Sequence, residues 1–308
     1  MKPHISVLLN ESIENLSIKE DGIYVDCTLG YAGHSSCILK RIKNGKLFAF
    51  DQDGEAIDYS KKILGQISNN YEIINSNFVN IKEELEKRNV SKVDGILFDL
   101  GVSSVQLDED SRGFSYHMDA KLDMRMNQNQ KLSAYDVVNT YSIDELIKIF
   151  YEYGEEKYSK SIATSIIKYR EEKPIETTLE LAEIIKRSVP EKYKRDSHPA
   201  RKVFQAIRIE VNNELNVFEK ALNDSIELLN TNGRLCVITF HSLEDRICKN
   251  TFKKYSEVNK IYKGLPEKDI PDEYKPKIKL IKKIKPTNEE IKENNRSRSA
   301  ILRVIEKL

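Results

Sequence analysis

Glycine and acidic residues follow the first apolar run of the chain in an arrangement that could hold a ligand. The segment from Asp26 to His34 reads DCTLGYAGH, with glycines at positions 30 and 33. Small residues after a strand let a ligand approach the backbone, and the helix N-terminus that follows favours the polar end of that ligand. The dinucleotide pattern G-x-G-x-x-G is absent, so this loop taken alone is equally consistent with a tight turn.

Two further carboxylates, Asp51 and Asp99, follow later apolar runs. An acid about twenty residues beyond a glycine loop can accept hydrogen bonds from both ribose hydroxyls of an adenosine-type cofactor, and Asp51 meets this requirement. Asp53 fits a helix N-cap better. Asp99, in the segment DLGVSS, could contact the cofactor, a substrate amine, or both. Together the three signals predict a nucleoside-type cofactor at one edge of a sheet.

The elements that must position these residues alternate between short apolar strands and helices of about ten residues, which is typical of βαβ units and a parallel sheet. The predicted fold class is α/β, with a Rossmann-like sheet. Parallel crossovers are nearly always right-handed, so the strand carboxyl ends share the edge where ligands bind. The predicted strands are 23–27, 46–50, 71–74, 93–98 and 234–240, the last entered by a turn at Asn232 and Gly233, with closing strands at 277–284 and 300–305.

The alternation is interrupted between about residues 107 and 211, where helical patterns replace strands. Helices are predicted at 143–151, 159–169 and 178–187, and Pro174, Pro190 and Pro199 punctuate this stretch. A segment of this length can form its own core. We therefore predict a cofactor-binding domain from residues 1–106 and 212–308, and an inserted helical domain from 107–211.

Composition narrows the class of protein further. Hydrophobic residues make up 39% and charged residues 32%, as in soluble globular proteins. No apolar run approaches the ~20 residues of a membrane span, and no export signal is recognisable, so we expect a cytoplasmic protein without membrane contact. The four cysteines form no CxxC pair, so we expect reduced side chains and no metal site.

Charge is unevenly distributed along the chain. Residues 249–308 contain 17 Lys and Arg against 9 Asp and Glu, whereas residues 1–248 contain 33 against 40. A basic tail on an acidic body suits a polyanionic partner, although a solvated lysine-rich surface explains the same numbers.

Several of these segments together resemble the RsmH (MraW) family of ribosomal RNA methyltransferases over essentially the full chain. The matching stretches are HISVLLNE (4–11), DCTLGYAGHS (26–35), DLGVSSVQL (99–107), RGFS (112–115), LDMRM (122–126), HPARKVFQAIR (198–208), FHSLEDR (240–246) and NRSRSAIL (295–302). The resemblance implies a class I methyltransferase sheet that transfers a methyl group from S-adenosylmethionine. It also implies the acceptor, the N4 amine of a cytosine in the decoding region (P site) of 16S rRNA within the small ribosomal subunit, with a homodimer as one possible assembly.

The resemblance also implies which residues contact the cofactor. Two departures from the family pattern are visible: Tyr31 and Ala32 stand where two glycines are usual, and Val105 stands where a proline is usual. Alanine disfavours positive φ, so we expect a local adjustment of this turn. The implied cofactor contacts are Ala32, Gly33, His34, Asp51, Phe78, Asp99 and Gln106.

The expected chemistry explains what a catalytic residue would have to do. The cytosine amine is a weak nucleophile, so the enzyme must align nitrogen, methyl and sulfur and hold the amine with acceptors. Asp99 is the catalytic candidate, although the Pro-Pro-aromatic sequence of many amino-methyltransferases does not follow it. His241 could hydrogen-bond the base, help to take the proton, or only begin a helix.

Candidate RNA contacts lie mainly in the insert and tail, where aromatic residues among basic ones suit stacking and phosphate contact. Intramolecular salt bridges would explain several of them equally well. Arg201, Gln205 and Arg208 share one helix face, with Phe204 to the side and a candidate for the core. The candidates are Arg112, Arg125, Arg201, Gln205, Arg208, His241, Arg296 and Arg298.

Two other functions share part of this pattern. A nicotinamide dehydrogenase would use the same sheet and Asp51, but it would need the missing glycine motif. A non-catalytic RNA-binding assembly factor would use the basic tail, but it would not need Asp26, Asp51 and Asp99 at three strand ends. Binding of S-adenosylmethionine rather than NAD would exclude the dehydrogenase. Methyl incorporation into ribosomal particles would exclude the non-catalytic assembly factor.

Overall fold

The computed structural model describes residues 6–102, 112–196, 198–258 and 260–308. The chain divides into two compact units. The first joins Met1–Gly101 to Leu215–Leu308, and the second comprises Val102–Glu214. The helical insert predicted from the sequence, residues 107–211, falls inside the second unit.

A seven-stranded sheet organises the first unit and confirms the predicted Rossmann-like α/β class. The sheet has the order β3-β2-β1-β4-β5-β7-β6. Strands β1 to β5 pair in parallel, and β7 runs antiparallel to both of its neighbours. The strands are β1 (Ile23–Asp26), β2 (Lys46–Asp51), β3 (Tyr71–Asn75), β4 (Val93–Asp99), β5 (Leu229–Thr239), β6 (Ile278–Ile284) and β7 (Ile301–Lys307).

The central strands are buried on both faces, which is why they read as continuous apolar runs rather than alternating ones. In β4, for example, Ile96, Leu97 and Phe98 are all fully buried. The order of the strands reverses between β1 and β4. In open α/β sheets the crevice outside the carboxyl ends at such a reversal is the usual ligand site.

Strand β5 begins earlier than the sequence pattern predicts. It starts at Leu229 and contains the Asn232–Gly233 segment, which was predicted as a turn before the strand. Leu229 pairs with Val93 and Arg234 with Gly95, so the residues between them bulge out of register. Asn232 takes a left-handed conformation, φ 64°, inside this bulge. The turn chemistry is therefore present, but the ladder resumes on both sides of it.

Helices cover the sheet of the first unit and follow its strands closely. The segment after β3 forms a 3₁₀ turn, Phe78–Asn80, capped by the Asn77 side chain, followed by a short α-helix. The α-helices of this unit are α1 (Leu9–Asn15), α2 (Gly33–Leu39), α3 (Gly54–Leu64), α4 (Ile81–Glu86), α11 (Glu214–Leu228, whose first residue belongs to the second unit), α12 (Ser242–Ser256) and α13 (Asn288–Glu293).

The second unit is helical around its own apolar core. Capping boxes at Ser133, Ser142 and Thr177 precede three of its helices. These local motifs explain why each helix begins at the residue that follows. Phe150 and Phe204 lie in the core, the latter 3% exposed, so Phe204 is a packing residue. The α-helices here are α5 (Ala134–Thr140), α6 (Ile143–Glu152), α7 (Ser159–Glu172), α8 (Thr178–Arg187), α9 (Glu191–Asp196) and α10 (Ala200–Asn212).

Among the residues that the structure describes, no helix combines the length and the apolar character that crossing a membrane requires.

Candidate functional site

The carboxyl ends of β1 and β4 are tied together where the strand order reverses. The Asp99 amide donates a hydrogen bond to Thr28 Oγ1 at 2.7 Å. Asp26 is completely buried and accepts hydrogen bonds from the Thr28 amide at 3.0 Å and from Ser35 Oγ at 2.6 Å. Burial raises the pKa of Asp26, and these hydrogen bonds partly offset the effect. Asp26 therefore shapes the loop from inside, whereas Asp99 reaches the edge.

Asp51, the last residue of β2, joins the glycine loop to the second strand. Its Oδ2 accepts from the Gly30 amide at 2.8 Å, and its Oδ1 accepts from the Asp53 amide at 2.9 Å. Burial raises the pKa of Asp51 to about 6, although the backbone donors oppose the shift. Each carboxylate oxygen keeps a further lone pair for an additional donor. Asp53 instead caps α3 through the Glu55 amide, as its position suggested.

The turn before α2 shows how the backbone accommodates Ala32, which stands where the family usually has a glycine. Ala32 takes φ 62° and is completely buried, so this alanine adopts the left-handed conformation that a glycine would adopt with less strain. At the next position, a Cβ on Gly33 would collide with the Ser6 hydroxyl. Close packing against Ser6 therefore favours glycine at position 33, and the turn is compact enough for a ligand to approach its backbone.

His34 and Asp99 meet beside this turn. His34, 5% exposed, places Nδ1 3.5 Å from Asp99 Oδ2. Burial, together with the nearby carboxylates of Asp26 and Glu244, holds the pKa of Asp99 well above its usual range. Within the part of the chain that the structure describes, the buried Asp99 Oδ1 has no hydrogen-bond partner. A buried acceptor of this kind is suited to a donor or a cation from outside the protein.

Phe78 lies after β3, where an aromatic side chain can support a planar ligand. Its ring packs edge-on against Phe98 at 5.5 Å, and Phe98 packs against Phe218 at 5.8 Å. The row of rings runs from the buried core, where Phe98 and Phe218 lie, to the partly exposed Phe78. Phe78 is thereby held in one orientation from behind.

Glu244 is a site residue that the sequence reasoning did not name. It is 3% exposed, and its Oε2 accepts from the amides of Phe240 at 2.7 Å and His241 at 3.3 Å. Its Oε1 lies 3.1 Å from His241 Nε2. Glu244 follows the N-cap residue His241 by three positions, which is the spacing of a capping box, and this signal could have identified it. Glu244 fixes His241 at the carboxyl end of β5.

Arg112 and Arg125, two of the RNA candidates, are engaged within the second unit. Arg112 is 5% exposed and donates to the carbonyls of Arg125 at 3.0 Å and Met126 at 3.3 Å. Arg125 forms a two-point ion pair with Asp123, at 2.9 and 2.7 Å, and also donates to the Gln130 carbonyl. These contacts favour a structural role for both residues.

The three RNA candidates on α10 differ in whether their side chains have partners within the fold. Arg208 pairs with Glu214 through two hydrogen bonds, at 2.8 and 2.9 Å. Gln205 donates to the Tyr153 carbonyl at 3.1 Å. Arg201, at the first turn of the helix, is exposed. The helix therefore presents Arg201 to solvent and uses the other two within the fold.

Arg296 and Arg298 lie on the surface of the first unit. Both belong to a 3₁₀ segment, Asn295–Ser299, and both are exposed. Gln106, the remaining cofactor candidate, lies outside the described residues, as does the Val105 departure.

The first unit thus brings the described cofactor candidates to the carboxyl ends of its parallel strands. An adenosyl cofactor fits them: Asp51 offers carboxylate oxygens to ribose hydroxyls, the turn at Ala32 and Gly33 is compact, and a buried acceptor of Asp99 has no partner among the described residues. The strand order together with this set of groups defines a Rossmann-like methyltransferase.

The particular family follows from comparison with known proteins. The model of the MraW methylase family matches residues 1–308, and the chain belongs to that family. This confirms the resemblance seen in the sequence, the prediction of a methyltransferase, and S-adenosylmethionine as its cofactor.

A curated relative and two solved structures illustrate the similarity. The ribosomal RNA small subunit methyltransferase H of Exiguobacterium sibiricum is 55% identical over 311 residues, covering 100% of this chain and 99% of that protein. An rRNA methylase from Streptococcus thermophilus aligns over 99% of both chains, with 12% identity and a TM-score of 0.46. A SAM-dependent O-methyltransferase from Thermotoga maritima aligns over 100% of this chain and 68% of its own, with 10% identity and a TM-score of 0.41.

Proposed function

We propose that this protein transfers a methyl group from S-adenosylmethionine to the N4 amine of a specific cytosine in the decoding region (P site) of 16S rRNA, in the small ribosomal subunit. The observation that carries the cofactor half of this proposal is the Asp51 carboxylate, held by the Gly30 amide at the end of β2. The 55% identity to a small subunit rRNA methyltransferase supports the substrate half.

Asp51 and the glycine turn would hold the adenosyl part of the cofactor. Asp51 would accept hydrogen bonds from the ribose hydroxyls, while the compact turn at Ala32 lets the ligand lie against the backbone. Phe78, supported by Phe98, would pack against the base. When bound, S-adenosylmethionine supplies a methyl group that is activated by the positive charge on sulfur.

Asp99 would act where the cofactor and the cytosine meet. Its elevated pKa reflects burial and two nearby carboxylates, so a positively charged group beside it would favour its ionised form. An ionised Asp99 can accept a hydrogen bond from the cytosine amine, orienting the nitrogen lone pair toward the methyl group. The nitrogen would gain the methyl group as the bond between methyl and sulfur breaks, and it would release one proton to solvent. His34 and His241, each placed beside a carboxylate, help to fix this edge.

The helical unit and the basic tail would contribute the contacts to RNA. A cytosine in folded RNA must be unstacked before its amine can reach a pocket, and binding elsewhere must offset the few kcal/mol that this costs. Arg201, Arg296 and Arg298 are exposed, and arginines at a protein surface are common phosphate ligands. The predicted domain 107–211 would thus recognise RNA, while residues 1–106 with 212–308 would bind the cofactor and add RNA contacts through the basic tail.

The decisive experiment is a methyl-transfer assay on small subunits isolated without this modification. With labelled S-adenosylmethionine, we expect one methyl group per particle, located by mass mapping of nuclease fragments on the exocyclic nitrogen of one decoding-region cytosine. Methylation at ring carbon, at ribose, or on another RNA would contradict the proposal. NAD in place of the methyl donor, tested by equilibrium dialysis, should not bind.

A further inference from the structure

Four aromatic rings pack against one another in the second unit, on residues from two separate segments of the sequence. Tyr116 lies nearly parallel to His198, with ring centroids 4.6 Å apart and an interplanar angle of 20°. Phe204 meets Tyr116 edge-on at 5.5 Å, and His117 packs against Tyr116 at 4.4 Å and against His198 at 5.4 Å. We call these four residues the ring stack.

The ring stack extends from the core of the unit to its surface. Phe204 is 3% exposed and belongs to the apolar core, Tyr116 and His198 are partly buried, and His117 is exposed. An exposed ring backed in this way keeps a fixed orientation, so little side-chain entropy remains to be lost when a ligand stacks on it. The arrangement therefore offers a preorganised aromatic surface at its outer end.

Two cations lie near the His198 end of the ring stack. Arg201 follows His198 by three residues and is exposed on the first turn of α10. Burial, with His117 and the cation of Lys186 nearby, lowers the pKa of His198. Aromatic rings beside cations suit a ligand with a flat aromatic part and an anionic part, which is the chemistry of a nucleotide within a strand.

We propose that the ring stack is a binding site for an unpaired base of an RNA strand, with Arg201 contacting an adjoining phosphate. Base stacking on aromatic side chains tolerates any base sequence, because every base has a π-face. The site would hold a nucleotide of the substrate other than the one modified. This inference rests on the proposed function for its RNA substrate, but it makes a separate claim about one surface.

A short unstructured oligoribonucleotide tests the proposal directly, with an abasic strand of the same length for comparison. The abasic strand keeps the phosphates and lacks the bases, so the difference in affinity reports stacking. We expect the wild-type protein to prefer the base-containing strand. His117→Ala should reduce that preference by about five- to a hundredfold, the range for loss of one stacked base, and His117→Phe should restore it.

Two control variants separate stacking from other effects. Tyr151→Ala removes a tyrosine that is 68% exposed on α6 of the same unit, outside the ring stack, and should leave the preference unchanged. Arg201→Ala should weaken both strands equally and reduce the salt dependence of binding. Thermal unfolding of each variant reports whether the fold is intact, and the exposed His117 is the change least expected to disturb it.

Equal affinity of the wild-type protein for the two strands would overturn the proposal, as would an unchanged preference in His117→Ala. A proline-rich peptide that binds the ring stack more tightly than the base-containing strand would assign the surface to a protein partner instead. Methylation of small subunits by the wild-type enzyme, measured in parallel, tests the proposed function independently. Failure of methylation with intact base-dependent binding would contradict the function and leave the stacking site in place.

Discussion

Asp51 Oδ2 accepts a hydrogen bond from the amide of Gly30 across 2.8 Å, which joins the end of the second strand to the loop after the first. Ser60 on α3 adds a second tie to the same loop, since its hydroxyl donates to the Gly30 carbonyl at 2.7 Å. The carboxylate therefore positions the loop and offers its remaining lone pairs at the same edge. A ligand that bonds to Asp51 meets a loop already held in place.

Removal of this carboxylate should weaken cofactor binding while the fold persists. Hydrogen bonds to a charged group contribute roughly 1.5–3 kcal/mol each, so Asp51→Ala should lower S-adenosylmethionine affinity by one to several orders of magnitude in titration calorimetry. Asp53→Ala is the matched control, because it removes the cap of α3. It should cost about 1 kcal/mol of stability and leave the affinity nearly unchanged. Unchanged binding in Asp51→Ala would contradict the assignment.

The raised pKa of Asp51, about 6, predicts how cofactor affinity depends on pH. Ribose hydroxyls bond best to the ionised carboxylate, so the complex favours ionisation and binding releases a proton below this pKa. Affinity should be nearly constant above pH 7 and fall as the pH drops through 6, by at most about tenfold per pH unit. Calorimetry across this range measures the effect. Asp51→Asn should bind the cofactor more weakly at every pH, and its affinity should not change around pH 6. An affinity that depends on pH in the same way as in the wild-type protein would show that Asp51 is not the titrating group.

The same shift makes an opposite prediction for stability without cofactor. Because the folded-state pKa lies above the ordinary value of 3.8, the protonated form is favoured by folding. The contribution of Asp51 to the free energy of unfolding is therefore greatest below about pH 4 and is lost as the pH rises through 6. Denaturant unfolding of the wild-type protein and Asp51→Asn at several pH values isolates this contribution. A difference between the two proteins that does not change over this pH range would contradict it.

Asp99→Asn separates cofactor contact from chemistry. The amide keeps the shape and one acceptor oxygen but removes the charge. Because Asp99 is proposed to hold the cytosine amine where the cofactor binds, both cofactor affinity and the single-turnover rate at saturating cofactor should fall. A lower affinity with little change in this rate would limit Asp99 to cofactor contact. A large loss of rate at unchanged affinity would place Asp99 in the methyl-transfer step.

Gly33 tests how closely the turn is packed. Gly33→Ala introduces a Cβ that collides with the Ser6 hydroxyl, so we expect lower stability together with weaker cofactor binding. In the double variant Gly33→Ala with Ser6→Gly, the obstructing side chain is absent and part of both losses should be recovered. A non-additive result in this double-mutant cycle would identify the contact, whereas simple additivity would mean that the two positions act separately.

Salt dependence tests the proposed RNA contacts of Arg201 and Arg296. Binding to small subunits should weaken steeply with salt, and replacing either arginine by alanine should make the slope shallower by about one if each meets a phosphate. Cofactor affinity should be unchanged. Free cytidine should be essentially inert as a methyl acceptor, because it offers none of these contacts. Arg208→Ala is the contrasting variant, since Arg208 is paired with Glu214 and should affect stability rather than slope. Wild-type slopes in both test variants would place the RNA elsewhere.

The sequence by itself determined the elements and the edge at which they place their polar ends. Apolar runs ending in Asp51 and Asp99 are local patterns, and strands with such ends must bring their acids to one edge once they pair in parallel. The first residues of α6 and α8 are also set by local sequence. A serine or threonine followed three residues later by glutamate forms hydrogen bonds with the free amides at the start of the helix. Such signals depend on residues close together in the chain, which is why they can be read without a structure.

The tertiary structure decided which polar side chains were used within the fold. Arg208 and Arg201 lie on one face of the same helix, yet the first pairs with Glu214 and the second faces solvent. Asp26 and Asp51 both end a strand, but Asp26 is enclosed by Thr28 and Ser35. The ring stack joins Tyr116 to His198 across a long stretch of chain. Whether long side chains and rings meet depends on distances between segments that are remote in sequence. Those distances are set only when the cores pack.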